Sequence, residues 1–261
     1  MATDFNKTIR CRPVIGMRID GTSYSDAIRR VVEWAMAGKS RSVCVANVHM
    51  VMEGYDDKEF RAIVNQADLV TPDGMPLVWA LRLLGFSGQE RVCGPELTRS
   101  LCEQAARDGI PVGFFGGTAA TVETLAKNLT GKYPGLNIVY TCSPPFRPIT
   151  TDEDAEIVAE INTSGVKILF VGLGCPKQER WIAEHRGRIN AVMLGVGAAF
   201  DFHAGTIKQA PQWMQRIGME WFFRLLMEPR RLWKRYTKHN LRFLILFGLQ
   251  WSKYLLTSKP T

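Results

Sequence analysis

The sequence predicts an α/β protein with a mostly parallel sheet, helices on both faces, and a C-terminal helical appendage. Short apolar runs such as residues 168–171 and 191–197 are typical of strands that are buried on both faces of a parallel sheet. Glycines and polar residues follow these runs, and helical segments alternate with them along the chain. After Gly205 the sequence becomes rich in basic residues, tryptophan and methionine. We therefore divide the chain into a core over residues 1–205 and an appendage over residues 206–261.

The first half of the core predicts three strands. Residues 13–19 alternate weakly and end at Asp20-Gly21, which is typical of a strand followed by a turn. The other two strands are the apolar, β-branched runs over residues 42–48 and 67–71. A serine cap opens a helix that ends at Gly38, a favourable residue after a helix C-terminus. Further helices are predicted over residues 60–66, 75–84 and 96–108.

The second half continues the alternation and ends in the appendage. Strands are predicted over residues 111–115 and 137–142, followed by the two apolar runs already described. Helices are predicted over residues 118–131 and 155–164 and in the polar run after Pro176. In the appendage, a helix over residues 212–228 should be kinked or interrupted at Pro229. A basic amphipathic segment then runs to Lys253.

Composition indicates a cytoplasmic protein that is not integral to a membrane. The 261-residue chain carries a formal net charge of +8. Its six cysteines show neither a C-x-x-C pair nor zinc-finger spacing, so we interpret them as reduced thiols. The N-terminus lacks the apolar segment of a secretory signal, and no apolar run approaches the roughly 20 residues that a membrane-spanning helix needs.

Two predicted strand ends carry residues suited to chemistry. Asp73 lies between Pro72 and Gly74, directly after a buried strand. A carboxylate held there can act as a general base if its surroundings raise its pKa, although Pro-Asp-Gly is also an ordinary turn sequence. Gly116-Gly117 can present backbone N–H groups to an anion. These glycines lack the complete dinucleotide and P-loop patterns, so they are weak evidence for either cofactor.

The sequence predicts neither a metal nor another cofactor. Asp152-Glu153-Asp154 has the D-x-D form that metal-dependent nucleotide-sugar enzymes use. It follows two threonines, however, and we interpret it as the acidic start of a helix. The four histidines (His49, His185, His203 and His239) show no metal-ligand spacing among themselves.

The appendage predicts contact with an anionic membrane surface. Arg216, Glu220 and Arg224 recur at four-residue spacing, which places them on one face of the predicted helix. Beyond Pro229, basic residues form a stripe beside aromatic and aliphatic ones, a pattern typical of binding to anionic lipid. The stripe consists of Arg231, Arg235, Lys238 and Arg242. The alternative is an interface in a homo-oligomer or a solvated helix that packs on the core. Nucleic acid fits the charge alone, and without a recognition motif we do not expect it as a partner.

Several motifs together resemble one enzyme family. They are Pro72-Asp73-Gly74, Glu90-Arg91-Val92, Gly116-Gly117, Lys177-Gln178-Glu179 with the glycines before it, residues 195–201, residues 210–225 and residues 228–233. As a set they resemble the WecG/TagA/CpsF glycosyltransferases, over roughly residues 14–236. The resemblance implies a Rossmann-like core. It also implies an inverting enzyme at the cytoplasmic face of the plasma membrane. Such an enzyme moves a sugar, of the N-acetylmannosamine type or a related hexose, from a UDP-sugar onto a polyprenyl-diphosphate-linked sugar.

The resemblance also implies roles for individual residues. Asp73 becomes the proposed general base. The substrate contacts implied by the motifs are Asn47, Arg91, Gly116, Gly117, Gln178, Glu179 and Asp201, of which Asp201 is a nucleotide contact. The residues implied to neutralise a diphosphate are Arg216, Arg224 and Arg231. Because no metal motif is convincing, we expect these arginines and backbone amides to stabilise the leaving diphosphate without a metal.

One departure from the family and two rival functions stay open. Family members often carry a threonine two positions before the residue that matches Asn47, and this chain has Val45 there. A nicotinamide-dependent oxidoreductase would suit the same sheet, but the fingerprint is incomplete and no acidic ribose partner follows Gly117 at the usual distance. A non-catalytic membrane or nucleic-acid adaptor is the other rival. The sequence does not identify the transferred sugar or the acceptor sugar.

Overall fold

A computed structural model describes residues 9–257, apart from the side chains of Arg231, Lys234 and Arg235. Within this range, six strands form one parallel sheet in the order β4-β3-β8-β7-β5-β6, and a separate hairpin pairs β1 with β2. The strands are β1 Cys11–Val14, β2 Met17–Asp20, β3 Arg41–Ala46, β4 Leu69–Pro72, β5 Val112–Gly116, β6 Ile138–Cys142, β7 Ile168–Gly172 and β8 Val192–Gly195. The predicted parallel sheet is therefore confirmed.

Helices cover both faces of the sheet, as predicted. They are α1 Tyr24–Met36, α2 Val48–Asp56, α3 Lys58–Asn65, α4 Met75–Leu83, α5 Gly94–Asp108, α6 Ala119–Lys132, α7 Thr151–Thr163, α8 Lys177–His185, α9 Ala199–Ala204, α10 Gln212–Arg216, α11 Glu220–Met227 and α12 Pro229–Thr257. Glu153 and the N-cap Thr150 form a reciprocal capping box at the start of α7. This box confirms that Asp152-Glu153-Asp154 belongs to a helix start.

Alternate side chains of the central strands pack into separate hydrophobic cores on the two faces of the sheet. On β3, Val43 and Val45 pack against α1 and α5, whereas Cys44 and Ala46 face the side covered by α2, α3 and α4. Successive strand residues point to opposite faces, so a strand covered on both sides must be apolar throughout. Val45 is 5% exposed and belongs to this core.

The predicted first strand is a β-hairpin. Val14 pairs with Met17 across a two-residue turn, in which Ile15 and Gly16 both have positive φ. This is the geometry of the tight turns that match strand twist, and an isoleucine there gives no sequence signal for it. Asp20 at the end of the hairpin accepts a hydrogen bond from the Val70 N–H at 2.8 Å, which attaches the hairpin to β4.

Helix α2 was missed in the sequence. The predicted strand over residues 42–48 ends two residues early, because the Asn47 side chain accepts a hydrogen bond from the Met50 N–H and caps α2. The first turns of α2 are apolar, and Met50, Val51 and Met52 are buried. Such a short apolar run does not distinguish a strand from a buried helix.

The appendage begins with a broken helix, which corrects the single helix predicted over residues 212–228. Helix α10 ends at Arg216 and α11 begins at Glu220, with Gly218 at φ +76° between them. Arg216, Glu220 and Arg224 therefore do not share one helical face. At Gly218 the backbone lies so close to Trp79 of α4 that an added Cβ would be 2.7 Å from the indole ring.

Helix α12 then packs directly on the core, chiefly against α2. Phe243 is 2% exposed, and the Gln250 amide bonds both the Ile15 N–H and the Pro13 carbonyl of the hairpin, at 2.7 and 2.6 Å. Arg242 makes a two-bond ion pair with Asp56 of α2. Part of the predicted basic stripe thus pairs with α2. Among the described residues, no helix combines the length and apolar character that crossing a bilayer requires.

Candidate active site

A cleft of about 310 Å³ lies between the carboxyl ends of β3 and β4 and the appendage. The core contributes Asn47 and Asp73 at the two strand ends, and the Asp73 N–H donates to the Ala46 carbonyl at 2.8 Å. That bond fixes the turn at which Asp73 leaves the sheet. Residues from α4, α10, α11 and α12 complete the walls. The cleft therefore exists only because the appendage folds back over the strand ends, where α/β sheets commonly bind ligands.

Arg91 joins Asp73 to the appendage. Its guanidinium donates to Asp73 Oδ1 at 2.9 Å through Nη2, and its Nε donates to the Asp73 carbonyl. Its Nη1 lies 2.7 Å from Glu220 Oε2 on α11. One arginine thus holds the orientation of the strand-end carboxylate and ties α11 to the core. Fork-shaped donation of this kind restrains both partners.

The surroundings of Asp73 raise the pKa of its carboxyl, as a general base requires. Burial raises its pKa, and Glu220 adds to this effect, while Arg91 and Arg224 oppose it. The Asp73 side chain is still 21% exposed, so the group remains open to the cleft. Burial would lower the pKa of Arg91, but Asp73 and Glu220 outweigh it and keep this arginine charged. The pair combines a raised carboxyl pKa with a fixed orientation.

Arg224 provides a cation in the cleft. Its guanidinium lies 5.7 Å from the centre of the Phe202 ring, and its Nε is buried without a hydrogen-bond partner among the described residues. Within that part of the chain, no carboxylate lies within ion-pair distance of it. A charged guanidinium that lines a cleft and lacks an internal partner is suited to an anionic ligand.

Gln178 and Glu179 lie behind the site rather than on its surface. They are 4% and 1% exposed, and the Gln178 amide donates to Glu179 Oε1 at 2.7 Å. Gln178 Oε1 also accepts from the Gly174 N–H at 3.1 Å, and its side chain packs against Gly195 and Gly197. The structure thus gives Gln178 a role in supporting the glycine turns after β7 and β8. Direct contact of either residue with substrate stays a prediction.

The remaining implied contacts lie outside the cleft. Gly116 is tightly packed against Gly172, because an added Cβ would lie 2.6 Å from the Gly172 carbonyl carbon, and the Gly117 N–H donates to the Gly172 carbonyl. Asp201 lies on α9, and Arg216 is exposed on α10. None of these four lines the cleft. Arg231 lies in the first turn of α12, and its side chain is outside the described residues.

The structure adds site residues that the sequence analysis missed. Glu220 and Gln215 both approach Arg91, and Trp79 forms an apolar wall. His49 and His239 line the cleft beside the Glu53 carboxylate. Counting histidine spacing alone overlooked that Glu53 follows His49 by four residues. His239 lies on α12, almost 200 positions further along the chain, so no local sequence pattern predicts that it lies beside His49 and Glu53.

The fold places this protein among the α/β proteins with a Rossmann-like parallel sheet, and the cleft is a candidate ligand site at the strand ends. The chain belongs to the Glycosyl transferase WecG/TagA/CpsF family, whose profile matches residues 12–256. It is therefore a glycosyltransferase, an enzyme of cell-surface polysaccharide synthesis. Membership confirms the resemblance drawn from the motifs and excludes the oxidoreductase and adaptor alternatives.

A curated relative shares much of the chain. It is the N-acetylglucosaminyldiphosphoundecaprenol N-acetyl-beta-D-mannosaminyltransferase of Bacillus spizizenii. The two are 29% identical over 198 residues, which cover 76% of this chain and 75% of the relative. By its name, the relative acts on a sugar linked through a diphosphate to a polyprenol.

Proposed function

We propose that this enzyme transfers an N-acetylmannosamine-type sugar from a UDP-sugar to a polyprenyl-diphosphate-linked sugar, with inversion at the anomeric carbon. The observation that carries the proposal is the cleft that combines a strand-end carboxylate, Asp73, with Arg224, which has no carboxylate partner among the described residues. The relative's named substrate supports the acceptor class. The tail of a polyprenol also matches the apolar wall that Trp79 provides beside the cleft.

In the proposed reaction, Asp73 removes the proton from the acceptor hydroxyl. The hydroxyl oxygen attacks the anomeric carbon of the donor from the face opposite UDP, and the bond from that carbon to the diphosphate oxygen breaks. The raised pKa of Asp73 suits a base that must accept a proton near neutrality. Arg91 orients the carboxylate, and Arg224 stabilises negative charge on a diphosphate in the cleft.

The proposal places the enzyme peripherally on the cytoplasmic face of the plasma membrane. Exposed apolar residues form a stripe along α12, and others lie nearby on α10 and α11. Those of the stripe are Leu241, Leu244, Ile245, Leu249, Leu255 and Leu256. Leu244 also lines the cleft, so the stripe reaches the site itself. A surface of this kind would bring the cleft to the headgroup level, where a lipid-linked diphosphate lies.

A transfer assay tests the proposal. Purified enzyme is incubated with UDP-N-acetylmannosamine and a short-chain lipid-diphosphate-N-acetylglucosamine, and the product is identified by mass spectrometry and its anomer by NMR. We expect a single added hexosamine with inverted configuration. Because Arg224 lines the cleft, Arg224→Ala should lower turnover by roughly 100-fold or more, as loss of one electrostatic donor typically does.

Arg107→Ala is the control, since Arg107 is exposed on α5 and does not line the cleft. It should retain most of the wild-type turnover. An equal loss in both variants would contradict the assignment of this cleft. The prediction that transfer needs no magnesium or manganese is tested in the same assay, and activity that EDTA abolishes and either ion restores would show it wrong.

A further inference from the structure

We propose that His49, Glu53 and His239 form a binding site for a zinc-class divalent transition metal that links α12 to α2. Each residue offers one ligand atom, and the three atoms lie within 4.8 Å of one another. Glu53 Oε1 is 3.6 Å from His49 Nδ1 and 3.8 Å from His239 Nε2. The two imidazole rings meet edge to face, with their centres 5.1 Å apart.

The helices bring these side chains together for reasons that the sequence explains only in part. Asn47 caps α2, so His49 lies in its first turn and Glu53 one turn later, on the same face. Phe243 inserts into the core one turn beyond His239 and thereby sets the rotation of α12 toward α2. Two ligands thus come from local helix spacing, and the third depends on the docking of the appendage.

The distances are close to those of a metal site. Zinc binds imidazole nitrogen and carboxylate oxygen at roughly 2.0–2.2 Å in tetrahedral geometry, which places neighbouring ligand atoms roughly 3.4 Å apart. Side-chain shifts of a few tenths of an ångström would bring Glu53 Oε1 to this distance from both histidine nitrogens, and no two of the three ligand atoms are more than 4.8 Å apart. Two histidines and one glutamate are also a ligand set that leaves a fourth position open.

The ligand chemistry selects the metal class. Two imidazoles and a single carboxylate favour zinc and its transition-metal neighbours over magnesium and calcium, which prefer oxygen ligands. His49 and His239 line the cleft, whereas Glu53 does not, so an open position on the metal would face the cleft. The three ligands do not include Asp73, and the prediction that transfer needs no magnesium or manganese concerns other metals.

Among the described side chains, Glu53 lies within ion-pair distance of the two histidines, whereas the nearby basic residues of α12 pair with a different carboxylate. Of the side chains described on α12, Arg242 and Lys238 both pair with Asp56 of α2, at 2.6 and 3.7 Å. His239 is 5% exposed, and the Glu53 side chain is 32% exposed. A metal ion could therefore reach the carboxylate from solvent while the imidazoles remain fixed in the helix interface.

Direct metal binding tests the proposal in the full-length protein without a polyhistidine tag. Zinc binding is measured by calorimetry after removal of bound metal, and Co²⁺ is used as a spectroscopic probe. We expect one zinc per chain, a tetrahedral Co²⁺ visible spectrum, and a melting temperature that rises with zinc. His49→Asn and His239→Asn should each lower zinc affinity by roughly 100-fold or more. Loss of a residue that only hydrogen-bonds a ligand costs roughly 10–100-fold, and each of these histidines is itself a ligand in the proposal.

Two controls separate chelation from ordinary helix packing. Asp56→Asn removes ion pairs between the same two helices but no ligand, so it should leave the Co²⁺ spectrum intact. His203→Gln removes a histidine that instead bonds the Pro95 carbonyl, and it should leave zinc affinity unchanged. If wild-type protein binds no zinc, or if the ligand variants, shown to be folded by circular dichroism, bind it as tightly as wild type, the three residues form only a polar contact between the two helices and the proposal is wrong.

Discussion

At the scale of single residues, Glu179 shows how burial changes the chemistry of a side chain. It is 1% exposed, and burial raises its pKa from 4.5 to about 7, although Gln178 and Cys175 favour the ionised form. Folding therefore prefers the protonated carboxyl. The stabilisation from this group is complete below pH 4.5, and it is lost as the pH rises through about 7.

Glu179→Gln should remove this pH dependence while keeping the shape of the side chain. Above pH 7 the variant should be more stable than wild type by up to about 3 kcal/mol, since glutamine never has to be buried as an anion. The difference should vanish below about pH 4.5. Urea unfolding at several pH values measures it. Glu184→Gln, an exposed change on the same helix, should follow the wild-type pH dependence, and a Glu179→Gln curve parallel to it would contradict the account.

At the scale of elements, Gly218 permits the break between α10 and α11. Gly218→Ala would place a methyl group 2.7 Å from Trp79 at a positive φ, so something must shift. We expect a loss of about 1–3 kcal/mol in the free energy of unfolding. Turnover should fall as well, because movement of α11 would withdraw Glu220 from Arg91. Thermal unfolding and the transfer assay report the two effects.

Gly248→Ala is the matched control in α12. No atom lies within 4 Å of its added methyl group, and Gly248 is an exposed residue within a helix. Replacing glycine by alanine there should stabilise the protein by up to about 1 kcal/mol and leave turnover unchanged. If Gly218→Ala is as harmless as Gly248→Ala, the close contact with Trp79 does not determine how the appendage docks.

The sequence predicted those elements whose identity depends on local pattern. The core strands and the helices between them were recovered because apolar runs and caps are read from neighbouring residues. The hairpin turn at Ile15 and the break at Gly218 were missed, because tertiary contacts select those backbone conformations. Asp73 and Arg91 were identified through their motifs, but the pairing of Arg91 with Glu220 requires segments more than 120 positions apart.

At the scale of the whole molecule, the appendage is part of the folded body. Because Phe243 is buried, deleting α12 would expose the core, so point substitutions test membrane binding better. Changing Leu241, Ile245 and Leu249 together to serine should abolish flotation with anionic liposomes, since apolar burial of roughly 0.8 kcal/mol per CH₂ is lost. These side chains are 57–63% exposed, so the fold should be preserved.

Phe146→Ser serves as the control for membrane binding. Phe146 is 90% exposed, and it lies in the loop between β6 and α7, away from the appendage in the chain. Its loss should leave flotation unchanged. If the triple variant still floats with liposomes, or if Phe146→Ser abolishes flotation equally, the stripe on α12 is not the membrane-binding surface.

The central claim is that the cleft between the strand ends and the appendage performs transfer with Asp73 as its base. Turnover of Asp73→Asn, measured with saturating donor and acceptor, tests it most directly. The change removes the base but keeps the size of the side chain, so turnover should fall ~100-fold or more while melting temperature and UDP binding stay near wild type. Asp152→Asn, an exposed change in the first turn of α7, should remain fully active. Near-normal turnover of folded Asp73→Asn would contradict the account.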